Sequence, residues 1–458
     1  MNIRKLLTRL VSLALIAVFL PTVAMADTWY LEDGSITVSA TDSGQNVSQG
    51  GVTKEDSAPV IRNRDSSAST TNNVTIRADA GATANVTLED TNIDTTGGAG
   101  PKGAGDAAVR TEGAGNVNLN VELDNTLQSG NTRAGVEKGN GGSLTIGSES
   151  GSGQLVATGG DGGAGIGSGN VGNRPGALGG SNITINDGDV TAYGGSEAAG
   201  IGGGFKGNGK DITINGGTVR AESYDETGST AAIGGGRWDG KGENIQITGG
   251  DVTVKSGTGV WIGGKDGEIT IDTSKLLGTI TKLDKDGNQV GDKIVQNFRI
   301  YVDDKPVTSE NYQNLKSGRI VYDPVQKTLT AANRIKNLLK IRAPETDVIL
   351  NGGIGRGDLT IGQQDDPSVV GADDVTVTSD QYATIDGWAY INCTGKVNIS
   401  SDEDMAVNGN LNIYDSSEVI LSADSSAVTG SANITSNGDV TIESTDGRAA
   451  QKLTINKA

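Results

Sequence analysis

Through most of its length the chain sets single apolar residues between polar ones in short bursts, each closed by glycine. Ile183-Thr184-Ile185-Asn186 leads through a glycine turn to Val190-Thr191-Ala192 and, after a longer loop, to Ala199-Gly200-Ile201-Gly202-Gly203-Gly204. The three segments return as Ile212-Thr213-Ile214-Asn215, Val219-Arg220-Ala221 and Ala231-Ala232-Ile233-Gly234-Gly235-Gly236. They return again as Ile245-Gln246-Ile247, Val252-Thr253-Val254 and Trp261-Ile262-Gly263-Gly264, and Ile269-Thr270-Ile271 opens one more cycle. The steps are 29, 33 and 24 residues. A period of two is that of a strand with one buried face. Three strands per cycle with glycine at the corners, where positive φ carries no Cβ penalty, describe one coil of a parallel β-helix. Ile183 and Ile185 are then expected over Ile212 and Ile214, and these over Ile245 and Ile247. One coil buries little apolar surface, so stability comes from its neighbours. Looser cycles precede at Val86-Thr87-Leu88, Val117-Asn118-Leu119 and Leu144-Thr145-Ile146, and others follow at Val375-Thr376-Val377, Val397-Asn398-Ile399 and Leu411-Asn412-Ile413. Residues 338–341 are the nearest approach to a helix, and Pro344 closes them.

Two breaks interrupt the pattern. Arg4, Lys5 and Arg9, an apolar run over residues 10–20, Pro21 and Ala24-Met25-Ala26 have the layout of a secretory signal peptide over residues 1–26. The run is too short for a permanent membrane span. No other stretch is expected to cross a membrane, and the C-terminus carries no apolar tail or sorting signal. Secretion is therefore expected, with release or non-covalent retention at a cell surface. Residues 275–345 hold 13 Lys plus Arg, 8 Asp plus Glu and only 4 Gly. Residues 283–290 read there as a hairpin with an Asp-Gly turn, and residues 298–302, 319–322 and 327–330 as further strands. The expected organisation is a glycine-rich β-helix over 27–274, a small β module over 275–345 and a second β-helix over 346–458.

Composition narrows the chemistry. Glycine is 71 of 458 residues and aromatics only 3%, as a narrow aliphatic core requires. The net charge of −19 opposes nucleic-acid binding. Histidine is absent, which removes Ser-His-Asp and Cys-His nucleophile pairs and His-ligated metals. Cys393, the one cysteine, has no internal disulfide partner. Gly207-Asn208-Gly209-Lys210-Asp211 matches a calcium nonapeptide only in part. Asp284, Asp286 and Gly287 fall in an EF-hand register that puts Lys282 and Lys293 at ligand positions. No cofactor is expected, and calcium finds no complete motif.

The glycine cassette, Tyr301-Val302-Asp303-Asp304-Lys305-Pro306-Val307-Thr308-Ser309-Glu310-Asn311 and Ser317-Gly318-Arg319-Ile320-Val321-Tyr322-Asp323-Pro324 resemble the exported right-handed β-helix repeat proteins of Gram-positive bacteria. These are often grouped with carbohydrate-binding surface domains. The resemblance implies an extracellular carbohydrate-binding or adhesive role and supplies no catalytic residues.

Sugar binding needs an aromatic face with polar groups at its edge. Tyr193, Phe205, Tyr224 and Trp238 fall in loops of the glycine-rich coils, with Arg237 and Asp239 beside Trp238, and Trp261 is a further candidate. Trp29 and Trp388 read as packing residues. Asp373-Asp374 and Arg334-Ile335-Lys336 resemble pieces of the polygalacturonase site, but their order is reversed and its Gly-His-Gly motif is impossible here. Thr184, Thr213 and Thr270 form a threonine row, as an ice-binding face would, but Gln246 interrupts it. The expectation is a secreted, non-catalytic protein that binds polysaccharide or cell-envelope glycan, or mediates adhesion. The alternatives are a calcium-dependent polysaccharide lyase and a structural adhesin contacting host proteins.

Overall fold

The computed structural model describes residues 26–97, 105–172, 179–364, 369–380 and 382–457. The expected signal peptide, but for Ala26, lies outside them. The chain divides into two compact units, one ending at Ile294 and the other beginning at Val295. Both wind as parallel β-helices, with the right-handed crossovers usual between parallel strands.

In the first unit each coil visits three sheets. The first is an eight-stranded sheet from Thr28–Tyr30 to Gly242–Ile247. The coil passes next to a sheet whose strands include Asn92–Asp94, Asp189–Tyr193 and Leu277–Leu283. The third is an eleven-stranded sheet, opened by the antiparallel run Ile36–Thr41, Gly44–Gln49 and Val52–Glu55, which covers that end. The expected ladders are present: Leu144, Ile183, Ile212 and Ile245 stand in register, as do Ile146, Ile185, Ile214 and Ile247. All are buried in one aliphatic core.

Ile269-Thr270-Ile271 does not open another coil. The chain doubles back after Ile262–Gly264, which pairs antiparallel with Gly267–Glu268. Ile269 and Ile271 then lie against the core and cover the last coil. Thr270 consequently leaves the threonine row, and Gln246 takes the place over Thr213.

The third sheet narrows to two residues per strand at Val136–Glu137, Ile166–Gly167, Ile201–Gly202 and Ile233–Gly234. Its second column is glycine at 167, 202, 234 and 263, with φ between 127° and 145°. A Cβ on Gly202 would lie 2.2 Å from the Gly234 carbonyl oxygen, and one on Gly234 2.0 Å from that of Gly263. The backbones of successive coils close to a distance that any side chain would prevent. A second repeated conformation sits before the first sheet's ladders. Asn182, Asp211 and Asn244 hold φ of 56°, 53° and 49°, a region that Asn and Asp tolerate best after glycine. Asn244 Nδ2 donates to Asp211 Oδ1 at 2.6 Å, so this pair also ties one coil to the next.

Asn125 shows how a polar group inside the core is matched. It accepts from Thr91 N and Oγ1 and donates to the carbonyls of Glu122 and Gln154. Lys138 is the costly exception. It is buried, its ammonium donates to Asn140 O at 2.5 Å, and burial lowers its pKa to about 8.

In the second unit coil length varies: Leu329 pairs with Val348 and Ile335 with Ile354, the next coil is lengthened so that Ile354 meets Ile385, and the later coils return every 21 or 22 residues. One sheet includes Leu339–Arg342, Ala389–Asn392 and Leu411–Ser416, and another Val375–Ser379, Lys396–Ser401 and Glu418–Ala423. The third face is narrower still: Ile335–Lys336 pairs with Ile354–Gly355, and single bridges continue through Ile385, Val407 and Val428. Val375 stands over Val397 as expected, but Leu411 belongs to the other sheet, over Ala389. A coil this short brings the next apolar-polar-apolar segment around before the same face returns.

Residues 275–345 do not form a body of their own. Leu277–Leu283 pairs parallel with Gly249–Ser256 in the first unit. Residues 295–345 open the second unit, where antiparallel Asn297–Val302 and Lys305–Thr308 lead into its sheet, and Ile300, Val307 and Leu329 join its core. The hairpin at 283–290 forms, and Asp284 closes it by accepting from the backbone of Asp286 and Asn288. Among the described residues no helix is long and apolar enough to cross a membrane.

Two outcomes test this account. Gly234→Ala is expected to lower unfolding free energy by about 3 kcal/mol or more, from strained φ and overlap together. Gly259→Ala, with φ 79° but open space around its Cβ, should lose only about 1 kcal/mol. Equal losses in denaturant titrations would remove the close-approach argument. Lys138→Met should be more stable than the parent by on the order of 2–3 kcal/mol at pH 7. A lowered lysine pKa costs stability below about 8, and that cost is relieved as pH rises towards the unfolded value of 10.5. The gap between the two proteins should therefore close over that interval.

Candidate functional site

The most elaborate surface of the first unit lies where the second sheet turns into the narrow third one. Strand alternation puts Val190 and Ala192 inside and Tyr193 outside, and register sets Tyr193 beside Glu222 and Glu222 beside Lys255. The Tyr193 and Tyr224 rings stack with centroids 6.1 Å apart and planes inclined by 29°. Tyr224 is 54% exposed. Glu222, close to it, is itself buried and paired with Arg220 and, at 3.5 Å, with Lys255. The Lys255 ammonium stands 5.7 Å from the Tyr224 centroid. Partial burial, with Glu222 and Tyr193 adding to it, pushes the Tyr224 pKa up to about 12.

Because the third sheet is only two residues wide, the loops before and after it touch. Arg237, in the turn after it, pairs with Glu197 and lies 3.6 Å from Asp225, both in loops before it. Thr230 Oγ1 donates to Asp225 at 2.9 Å. The Arg237–Asp225 pair thus joins the neighbour of Trp238 to the neighbour of Tyr224. Trp238 is 61% exposed with φ 77°, and the Arg237 guanidinium is 5.7 Å from its ring. Asp239 is exposed beside it. Phe205 occupies the same turn one coil earlier but is half-buried: a Cβ on Gly172 would come within 2.9 Å of its ring.

Trp261 is placed differently. It packs against the core, its indole N–H donates to Leu283 O at 2.7 Å, and Lys282 covers its ring at 5.1 Å. Its polar edge and one face are used inside the fold. Seven candidates thus resolve into exposed Tyr224, Trp238 and Asp239 with half-buried Tyr193 and Arg237 beside them, a supporting Phe205 and a packing Trp261.

A protein-family model described as a β-helix repeat matches residues 183–205 and 212–237. Over those two stretches the chain is similar to the β-helix repeat, in keeping with the parallel winding of the strands there. The two matched repeats carry Tyr193, Phe205, Tyr224 and Arg237, and the second ends just before Trp238. No curated protein and no solved structure matches the chain.

Several other motifs settle into structural roles within the coils. Asp374 accepts from Lys396 N at 2.7 Å and Asp373 from Thr394 Oγ1 at 3.1 Å, so the paired acid holds a turn of the following coil. Asp211 sits in the ladder of left-handed residues. Cys393 is buried, and burial pushes its pKa up to about 12. Trp29 packs as expected, with its indole N–H on Asp56 Oδ2 at 2.9 Å. Trp388 does not: it is 59% exposed, as is Tyr382. Trp388 stands just before Ala389–Asn392, outside the strand, where alternation assigns it no face.

Tyr224 offers a direct check of the electrostatics. Replacing Glu222 by Gln should lower its phenol pKa from about 12, because the carboxylate that opposes a phenolate is gone. Ultraviolet titration of the parent and of Glu222→Gln, each against its Tyr224→Phe counterpart, isolates the shift. An unchanged midpoint would remove Glu222 as the cause.

Proposed function

We propose that the protein is secreted and works without catalysis, binding polysaccharide or cell-envelope glycan and so mediating surface adhesion. The observation that carries this reading is the Tyr193–Tyr224 stack, with Tyr224 exposed, bordered by Lys255, Arg220 and Glu222 and tied through Asp225–Arg237 to Trp238. Such a surface gives apolar faces for the C–H side of a pyranose, with cations and carboxylates at its margin for hydroxyls. The groups are held by coil register and by ion pairs, so little ordering remains for binding. Shallow sites of this kind bind weakly one at a time, and a repeating polymer that meets several copies gains useful affinity by avidity.

A glycan array probed with the mature protein tests the reading. The parent should bind a defined set of glycans, and the double variant Tyr193→Ala, Tyr224→Ala should lose about ten-fold or more in affinity. Trp238→Ala should weaken binding in the same direction. Melting temperatures would establish that the coils are intact. Binding that is indifferent to all three substitutions, or protein ligands and no glycan, would overturn the proposal.

A further inference from the structure

We infer that the narrow third face of the second unit carries a separate subsite for an acidic glycan, a polysaccharide bearing carboxylate or sulfate groups. The inference takes from the previous section only that the ligand is a glycan, and it uses a different unit and different residues. On this face Ile335, Ile354 and Ile385 point inward, one from each of three successive coils, and all are fully buried. Their neighbours Arg334, Lys336, Arg356 and Asp386, with Tyr382, line one open cavity.

The floor of the cavity exists because Gly355 has no side chain. A Cβ there would lie 2.5 Å from Arg334 Nε, so the guanidinium lies across the place a side chain would fill. Arg334 Nη1 donates to Gly352 O at 3.3 Å, and its guanidinium carbon is 5.3 Å from the Tyr382 centroid. Arg356 is exposed and holds φ 55°, a conformation uncommon for a residue with a Cβ. Its backbone N–H donates to Asp386 Oδ2 at 3.3 Å, and Asn408 Nδ2 donates to Asp386 Oδ1 at 2.9 Å. The carboxylate in the lining is thus engaged on both oxygens by neighbouring N–H groups. Lys336 and Arg356 make no ion pair among the described residues.

Three cations around one occupied carboxylate, with a 59% exposed phenol ring at the rim, fit one ligand chemistry. A sugar ring lies on Tyr382 while its acidic substituent takes charge-assisted hydrogen bonds from Arg356, Lys336 and the free edge of Arg334. The net charge of −19 repels polyanions from the surface at large. Affinity for a polyanion therefore marks a local site.

The test is titration of the mature protein with polygalacturonate, dextran sulfate and neutral dextran, by calorimetry or affinity electrophoresis. An acidic polymer should bind more tightly than dextran, and raising salt should weaken it. The carboxylate and sulfate arms identify which acid is read. Lys336→Gln with Arg356→Gln should lower the affinity about ten-fold or more, and Tyr382→Ala about three-fold or more, with unchanged melting. Tyr193→Ala with Tyr224→Ala should leave it unaltered, so this site and the first unit's ring pair fail or survive separately. Equal affinity for neutral and acidic polymers, or a Lys336→Gln, Arg356→Gln protein that binds like the parent, would overturn the inference.

Discussion

The contact on which everything else depends is the stacking of one coil on the next at the spacing of hydrogen-bonded parallel strands, about 4.8 Å. Each inward residue must fit the same residue position above and below it. Ile183, Ile212 and Ile245 satisfy that demand with identical side chains, and Ala157, Ala192 and Ala221 do so with small ones. At the corners the same spacing applies to backbone alone. The glycine column at 167, 202 and 234 is the consequence, since a single Cβ there would overlap the carbonyl of the next coil, and at 263 it would overlap that of Gly267 in the returning chain.

That constraint also shapes the surface. When the third face shrinks to two residues, the loops on either side of it come within reach of each other. Arg237 can then pair with Glu197 and Asp225 across it, and Trp238 is drawn towards the neighbourhood of Tyr224. Outward positions repeat as strictly as inward ones, which is why Tyr193, Glu222 and Lys255 fall in one row. In the second unit the narrow face is flanked by Arg334, Lys336 and Arg356, and a glycine between them leaves the hollow that they surround. A solenoid thus turns a sequence interval into a surface neighbourhood, and loop length decides what shares it.

The costs are local and few. Lys138 holds an ammonium in the interior against one carbonyl, while Asn125, at an equivalent depth, meets four partners. The open ends of the first unit are handled by antiparallel structure: strands 36–55 at one end, and the reversal at 264–267 with Ile269 and Ile271 at the other. Antiparallel pairing fits there because it ends a parallel series without asking for another coil.

Much of this was legible in the order of residues. The two-residue period, the glycine corners and the recurrence of Ile-Thr-Ile determined a parallel β-helix and the register of its central coils, because identical neighbours are what stacking selects. Sequence also picked out Tyr224, Arg237 and Trp238, since loops that interrupt a repeat are where it can carry something new, and Tyr193, which ends a strand and not, as expected, in a loop. It did not tell Ile269 from the next rung, Leu411 from the same face as Val397, or an outward Trp388 from an inward Trp261. Those choices depend on where a coil closes, and coil length is set by contacts between turns far apart in sequence. Nor could it gather Arg334, Arg356 and Tyr382 into one cavity: they are neighbours only across coils, and proximity across coils is a property of the winding alone.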